Sequence, residues 1–113
     1  MHEMSLCREI AELVQDTARR EGFRRVRAVR LEIGKLAAVE PEAIRFCFDV
    51  ATRGGPADGA RLEILPIEGR GWCLACSRSI DLDDPLGTCP VCGGGQIQVT
   101  GGTQLNVKDL EVE

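Results

Sequence analysis

At 113 residues, with 43% apolar and 28% charged side chains, the chain suits one compact domain or a small domain carrying a smaller module, and disorder is not indicated. A formal net charge of -4 argues against a general nucleic-acid binder, because phosphate contacts need clustered Lys and Arg, and no apolar run approaches the ~20 residues of a membrane helix. The start has no charged-then-apolar signal layout, so a cytoplasmic protein is expected, and in a reducing compartment its six cysteines read as metal ligands and buried thiols before disulfides.

The chain opens on Met1, His2 and Glu3. A free α-amine, the amide nitrogen of residue two and the imidazole of the same residue fall into fused chelate rings. Three nitrogens can thus occupy one equatorial plane, with the amide or carboxylate of Glu3 completing a square. Nitrogen and oxygen donors in a tetragonal arrangement favour Ni(II) or Cu(II) over Zn(II). His2 is the only histidine, so a site that needs an imidazole must be built at this end. The plain alternative is a frayed chain end with no ligand role.

Leu6, Ile10, Leu13, Val14 and Thr17 then recur at spacings of three and four, which predicts an amphipathic helix from Met4 to Glu21 closed by Gly22. Cys7 lies beside this stripe and reads as a buried thiol. The basic run Arg19, Arg20, Arg24, Arg25, Arg27 and Arg30 reads as a solvated helix end and strand face. From Val26 to Ile33 the period becomes two, with Val29, Leu31 and Ile33 on one face, so a strand is expected, ended by Gly34. Glu40, Pro41 and Glu42 suit a helix start, by charge against the dipole and by the N–H that proline lacks. A second helix is expected over Pro41–Arg53, burying Ile44, Cys47 or Phe48, and Ala51, with Gly54, Gly55 and Pro56 breaking it. Strands follow at Ala60–Ile67 and Thr103–Val112. The apolar residues of the last one change parity between Val107 and Leu110, which a bulge near Lys108 and Asp109 would accommodate. The expected class is α+β, with two helices packed on a sheet of about three strands.

Residues 69–102 interrupt this domain, leaving 1–68 and 103–113 as its two pieces. Cys73 and Cys76 are separated by two residues, Cys89 and Cys92 by two, and twelve lie between the pairs. Two such knuckles complete a tetrahedron of thiolates, so the insertion reads as a zinc ribbon. Cys89-Pro90-Val91-Cys92-Gly93 is the sharper half, since proline stiffens the turn and glycine lets backbone N–H groups aim at sulfur. Four thiolates leave no position for water, which makes the site structural and gives a segment too small for a core its folding energy. Trp72 is expected to pack on the first knuckle. Arg70 and Arg78 stand against Asp81, Asp83 and Asp84, a balance that opposes nucleic-acid binding.

Met1-His2-Glu3 at the start, Phe46-Cys47-Phe48-Asp49 in the second helix, and the inserted Cys73, Cys76, Cys89 and Cys92 together resemble the HypA/HybF family of nickel metallochaperones for [NiFe]-hydrogenase maturation. The resemblance covers essentially the whole chain. It implies a nickel domain, a protruding zinc domain and no catalysis. It also implies Ni(II) on the Met1 amine, the His2 amide and imidazole and the Glu3 amide, with Glu40 close by where some members carry Asp. The implied partners are a nickel-handling GTPase of the HypB type and the large subunit of [NiFe]-hydrogenase. The reading that dispenses with nickel is a zinc-ribbon adaptor that holds a partner protein.

Overall fold

In the computed structural model, which describes residues 3–113, the elements run α1 (Glu3–Glu21), β1 (Val26–Gly34), α2 (Pro41–Ala51), β2 (Arg61–Ile67), β3 (Gly69–Cys73), β4 (Arg78–Leu82), β5 (Ile97–Gly101) and β6 (Leu105–Val112). They form two three-stranded sheets, ordered β2-β1-β6 and β4-β3-β5. Two helices accompany the first sheet, as the α+β reading requires. Among the described residues no helix is long and apolar enough to cross a membrane.

The chain divides into two compact units. One holds the described part of Met1–Leu31 with Ala38–Ile64 and Val107–Glu113; the other holds Glu32–Ala37 and Leu65–Asn106.

In the first unit the buried line of α1 runs through Leu6, Ile10, Val14 and Ala18 at intervals of four, with Cys7 beside it. Leu13, expected on that stripe, is 45% exposed instead. Small residues take its place where α2 comes close: the Cys7 thiol is wholly buried and donates to the Ile44 carbonyl at 3.4 Å. Further along, Ala11 and Val14 meet Ala51 and Thr52 around a small gap. The two helices therefore run in the same sense, and both begin at the same end. Helix α2 buries Ile44 and Phe48, leaves Cys47 half-buried, and turns Phe46 outward. It stops at Ala51, two residues before the expected Arg53, because Thr52 closes it. The Thr52 N–H and hydroxyl both donate to the Phe48 carbonyl, at 3.0 and 2.8 Å.

Strand β1 is central in its sheet and buries Val29, Leu31 and Ile33 on one face. Arg30 lies on the other, paired with Glu63 at 2.7 Å and Asp109 at 2.9 Å. Along β6 the half-buried apolar residues are Leu105 and Val107, then Leu110, so the burial changes parity where the sequence does.

In the second unit Leu36, Cys73, Ile80, Leu82 and Cys89 form a core with Ile97 and Cys76 packed on it. Its three short strands were not expected from hydrophobic periodicity. Strand β3 shows why: Gly69, Gly71 and Cys73 face inward and Arg70 and Trp72 outward, so the inward positions carry almost no apolar signal. Glycine is required at Gly69, where a Cβ would overlap the Leu82 carbonyl oxygen, and a Cβ on Gly71 would press on Leu82 Cδ1 and Ile97 Cγ2 at 2.6 and 2.8 Å. Trp72 does not close over the knuckle as expected. It is 40% exposed on the outward face, between Ser79 of β4 and Gln98 of β5, because alternation sends it away from Cys73.

Candidate metal centre

Each cysteine pair sits in a turn of the same construction. Cys73 ends β3, and the chain then turns so that the Ser77 N–H donates to the Cys73 carbonyl at 2.8 Å and the Cys76 N–H to the Cys73 sulfur at 3.4 Å. In the second turn the Gly93 N–H donates to the Cys89 carbonyl at 2.8 Å, while the N–H groups of Val91 and Cys92 donate to the Cys89 sulfur at 3.4 and 3.5 Å. Gly94 adds a donor to the Cys92 sulfur at 3.4 Å. The residue after the second cysteine is left-handed in both turns, Ser77 at φ 53° and Gly93 at φ 73°. Glycine does this cheaply; serine does not.

The four sulfurs lie within 4.8 Å of one another, with Cys73–Cys92 at 3.7 Å and Cys76–Cys89 at 4.0 Å. Thiolates held ~2.3 Å from a tetrahedral zinc would be about 3.8 Å apart, so the spacing fits that ion. Cys73 and Cys89 are buried, Cys76 is half-buried and Cys92 is exposed. Backbone donors, the Cys92 N–H first and the Val91 N–H with it, hold the Cys89 thiol down to about 7 against the upward push of burial. The hydrogen bond with Cys92, then burial, pushes Cys76 up to about 12. A cation among the four removes the conflict by favouring all four thiolates together.

Met1 and His2, the expected nickel ligands, lie outside the described residues. Glu3 is the first residue of α1. Glu40 is exposed at the N-cap of α2 with no side-chain capping bond, which leaves its carboxylate unclaimed by the helix it precedes. Because the helices run in the same sense, Glu3 and Glu40 belong to the same end of the first unit. Nearby Cys7 is unavailable as a ligand: burial first, then the neighbouring Cys47 and Glu3, pushes its thiol up to about 11. Sequence reasoning did not find the left-handed Ser77, and only its place after a Cys-x-x-Cys, matching Gly93, could have signalled it.

A family model described as "HypA: Hydrogenase/urease nickel incorporation, metallochaperone, hypA" matches residues 1–112. The hydrogenase maturation factor HypA of Dechloromonas aromatica is 52% identical over 113 residues, and that of Albidiferax ferrireducens 53% identical over 113; each match spans 100% of both chains. The fold resembles the solution structure of the Ni metallochaperone HypA from Helicobacter pylori, with a TM-score of 0.71 at 21% identity, over 99% of this chain and 97% of that one.

Proposed function

The chain belongs to the HypA family, and from that premise we propose that it is a nickel metallochaperone of hydrogenase maturation, which carries Ni(II) at its N-terminus and performs no catalysis. The observation that supports this reading is the family match running from residue 1, so that it spans the Met1-His2-Glu3 tripeptide. Nickel is cargo, held by the Met1 amine, the His2 amide and imidazole and Glu3, with the Glu40 carboxylate supplied from the neighbouring helix start. Its receiver is the large subunit of [NiFe]-hydrogenase, reached together with a GTPase of the HypB type. Cys73, Cys76, Cys89 and Cys92 hold a resident zinc ion whose contribution is structural.

The chelate suits a carrier. Its ligands lie on a short peptide end, each is displaceable by a partner's ligand in turn, and each must lose a proton to bind. An imidazole near ~6.5 and an α-amine near ~8 in unperturbed form make acid a release signal. Adding residues before Met1, which converts the amine to a peptide bond, is expected to weaken nickel binding nearly as much as losing His2. Undiminished affinity in the extended protein would refute the chelate.

The alternative, a zinc-ribbon adaptor without a nickel role, draws support from Trp72, Leu74 and Val91, which are 40, 57 and 58% exposed in the second unit. It requires partner binding that survives both a blocked N-terminus and nickel depletion.

A further inference from the structure

We infer that an arginine-lined cleft at the C-terminal end of α1 is a docking site for an acidic segment of a partner protein. The cleft is open, about 1000 Å³ in volume, and lies between the last turns of α1, the connector Phe23–Arg25 and the turn spanning residues 54–59. Its walls are tied together, since the Val26 N–H donates to the Pro56 carbonyl at 2.9 Å and the Gly54 N–H to Asp58 Oδ2 at 2.9 Å.

Arg19, Arg24 and Arg25 line it, and Asp58, the single carboxylate of the lining, is the one already engaged with Gly54. In a protein of net charge -4 this is a local reversal of sign. The arginines are weakly committed. Arg19 pairs with Asp16 at 3.2 Å with both side chains largely in water, Arg25 reaches Glu113 only at 4.0 Å, and Arg24 has no carboxylate within 4.0 Å among the described residues. Exposed pairs of this kind contribute little and exchange easily. The negative ends of the two helices account for part of the cluster, but a helix dipole acts within its last turn. Arg19 and Arg20 sit in that turn of α1; Arg24 and Arg25 stand beyond it.

Guanidinium forks match carboxylates in bidentate geometry. The floor admits a close main chain, since a Cβ at Gly54 or Gly59 would meet nothing within 4 Å. A nucleic acid is the poorer occupant. The lining has one aromatic ring, Phe23, and that is half-buried, so bases have no exposed platform. The cleft also lies at the far end of α1 from Glu3, about 27 Å away by helix rise. A partner held here leaves the N-terminus uncovered, although the docking site does not depend on what that end binds.

The test is fluorescence anisotropy with fluorescein-labelled octaglutamate against the full zinc-loaded chain, beside Arg24→Glu and Lys108→Glu, which change net charge equally. Saturable one-to-one binding is expected, weakened about tenfold in Arg24→Glu and less than about twofold in Lys108→Glu. Amide resonances of Gly22, Gly54 and Gly55 should move together during the titration. Equal losses in both variants would reduce the effect to general attraction and overturn the assignment. So would an absence of saturable binding by octaglutamate, or tighter retention of a labelled octathymidylate than of the peptide.

Discussion

Replacing Gly93 with Ala isolates the backbone contribution to the four-cysteine site. Gly93 has φ 73°, and a Cβ built there meets nothing within 4 Å, so no steric overlap enters the cost. Holding an L-residue left-handed costs roughly 1–2 kcal/mol, and the loss of glycine's freedom in the unfolded chain returns roughly 0.4–1 kcal/mol. The net is about 0.5–1 kcal/mol, or a weakening of zinc binding by about two- to sixfold, because metal binding and folding of the module are one equilibrium. Ser77, left-handed in the matching turn at φ 53°, already bears this cost. Ser77→Gly should therefore strengthen binding by a comparable factor. The assay is competition for zinc against a chromophoric chelator, with the cobalt-substituted spectrum confirming that four thiolates still ligate. Unchanged affinity in Gly93→Ala, or a weaker site in Ser77→Gly, would refute the claim that the two turns are conformational equivalents.

Gly34→Ala should destabilise the second unit by about 2–5 kcal/mol in urea, since its Cβ would overlap the Gly102 carbonyl and endanger the bonds from Leu36 N–H to Gly102 and from Gly34 N–H to Gln104, both 2.8 Å. A loss under about 1 kcal/mol would mean that the backbones part easily. Cys7 has a folded pKa near 11 against 9.0, so the stability its burial confers is complete below pH 9 and declines as pH climbs through 11. Urea midpoints across that range should fall less steeply in Cys7→Ala than in the parent; parallel curves would contradict the assignment. Stripping zinc with a chelator should change the emission of Trp72, the only tryptophan, while leaving the helical signal of α1 and α2. Emission that ignores the metal would show that β3–β5 stand without it.

The elements that could be read in the sequence are those whose inward face carries large apolar residues: α1, β1, α2, β2 and β6. The stripe of α1 was misplaced at Leu13, which is exposed, and at Thr17, where Ala18 takes the buried position, while close approach of α2 selects the small Cys7 against Ile44. Strand β3 was invisible because glycine and cysteine occupy inward positions that periodicity expects leucine or valine to fill, whereas β4 does alternate, burying Ile80 and Leu82, but over only five residues, and β5 buries none of its residues fully. For the metal centre the opposite holds. Cysteine spacing is a local property of a turn, and it announced four convergent sulfurs without any knowledge of the strands that present them. The placement of Glu3 and Glu40 at one end could be read only through the family resemblance and not from periodicity or spacing, since it depends on the relative direction of two helices separated by a strand.

The most direct measurement is a calorimetric Ni(II) titration of tag-free, zinc-loaded protein with His2→Ala alongside. One-to-one binding in the parent, lost in the variant while fold and zinc content stay intact, is what the account predicts. Equal nickel affinity in the two proteins, or no nickel binding by the parent, would contradict it.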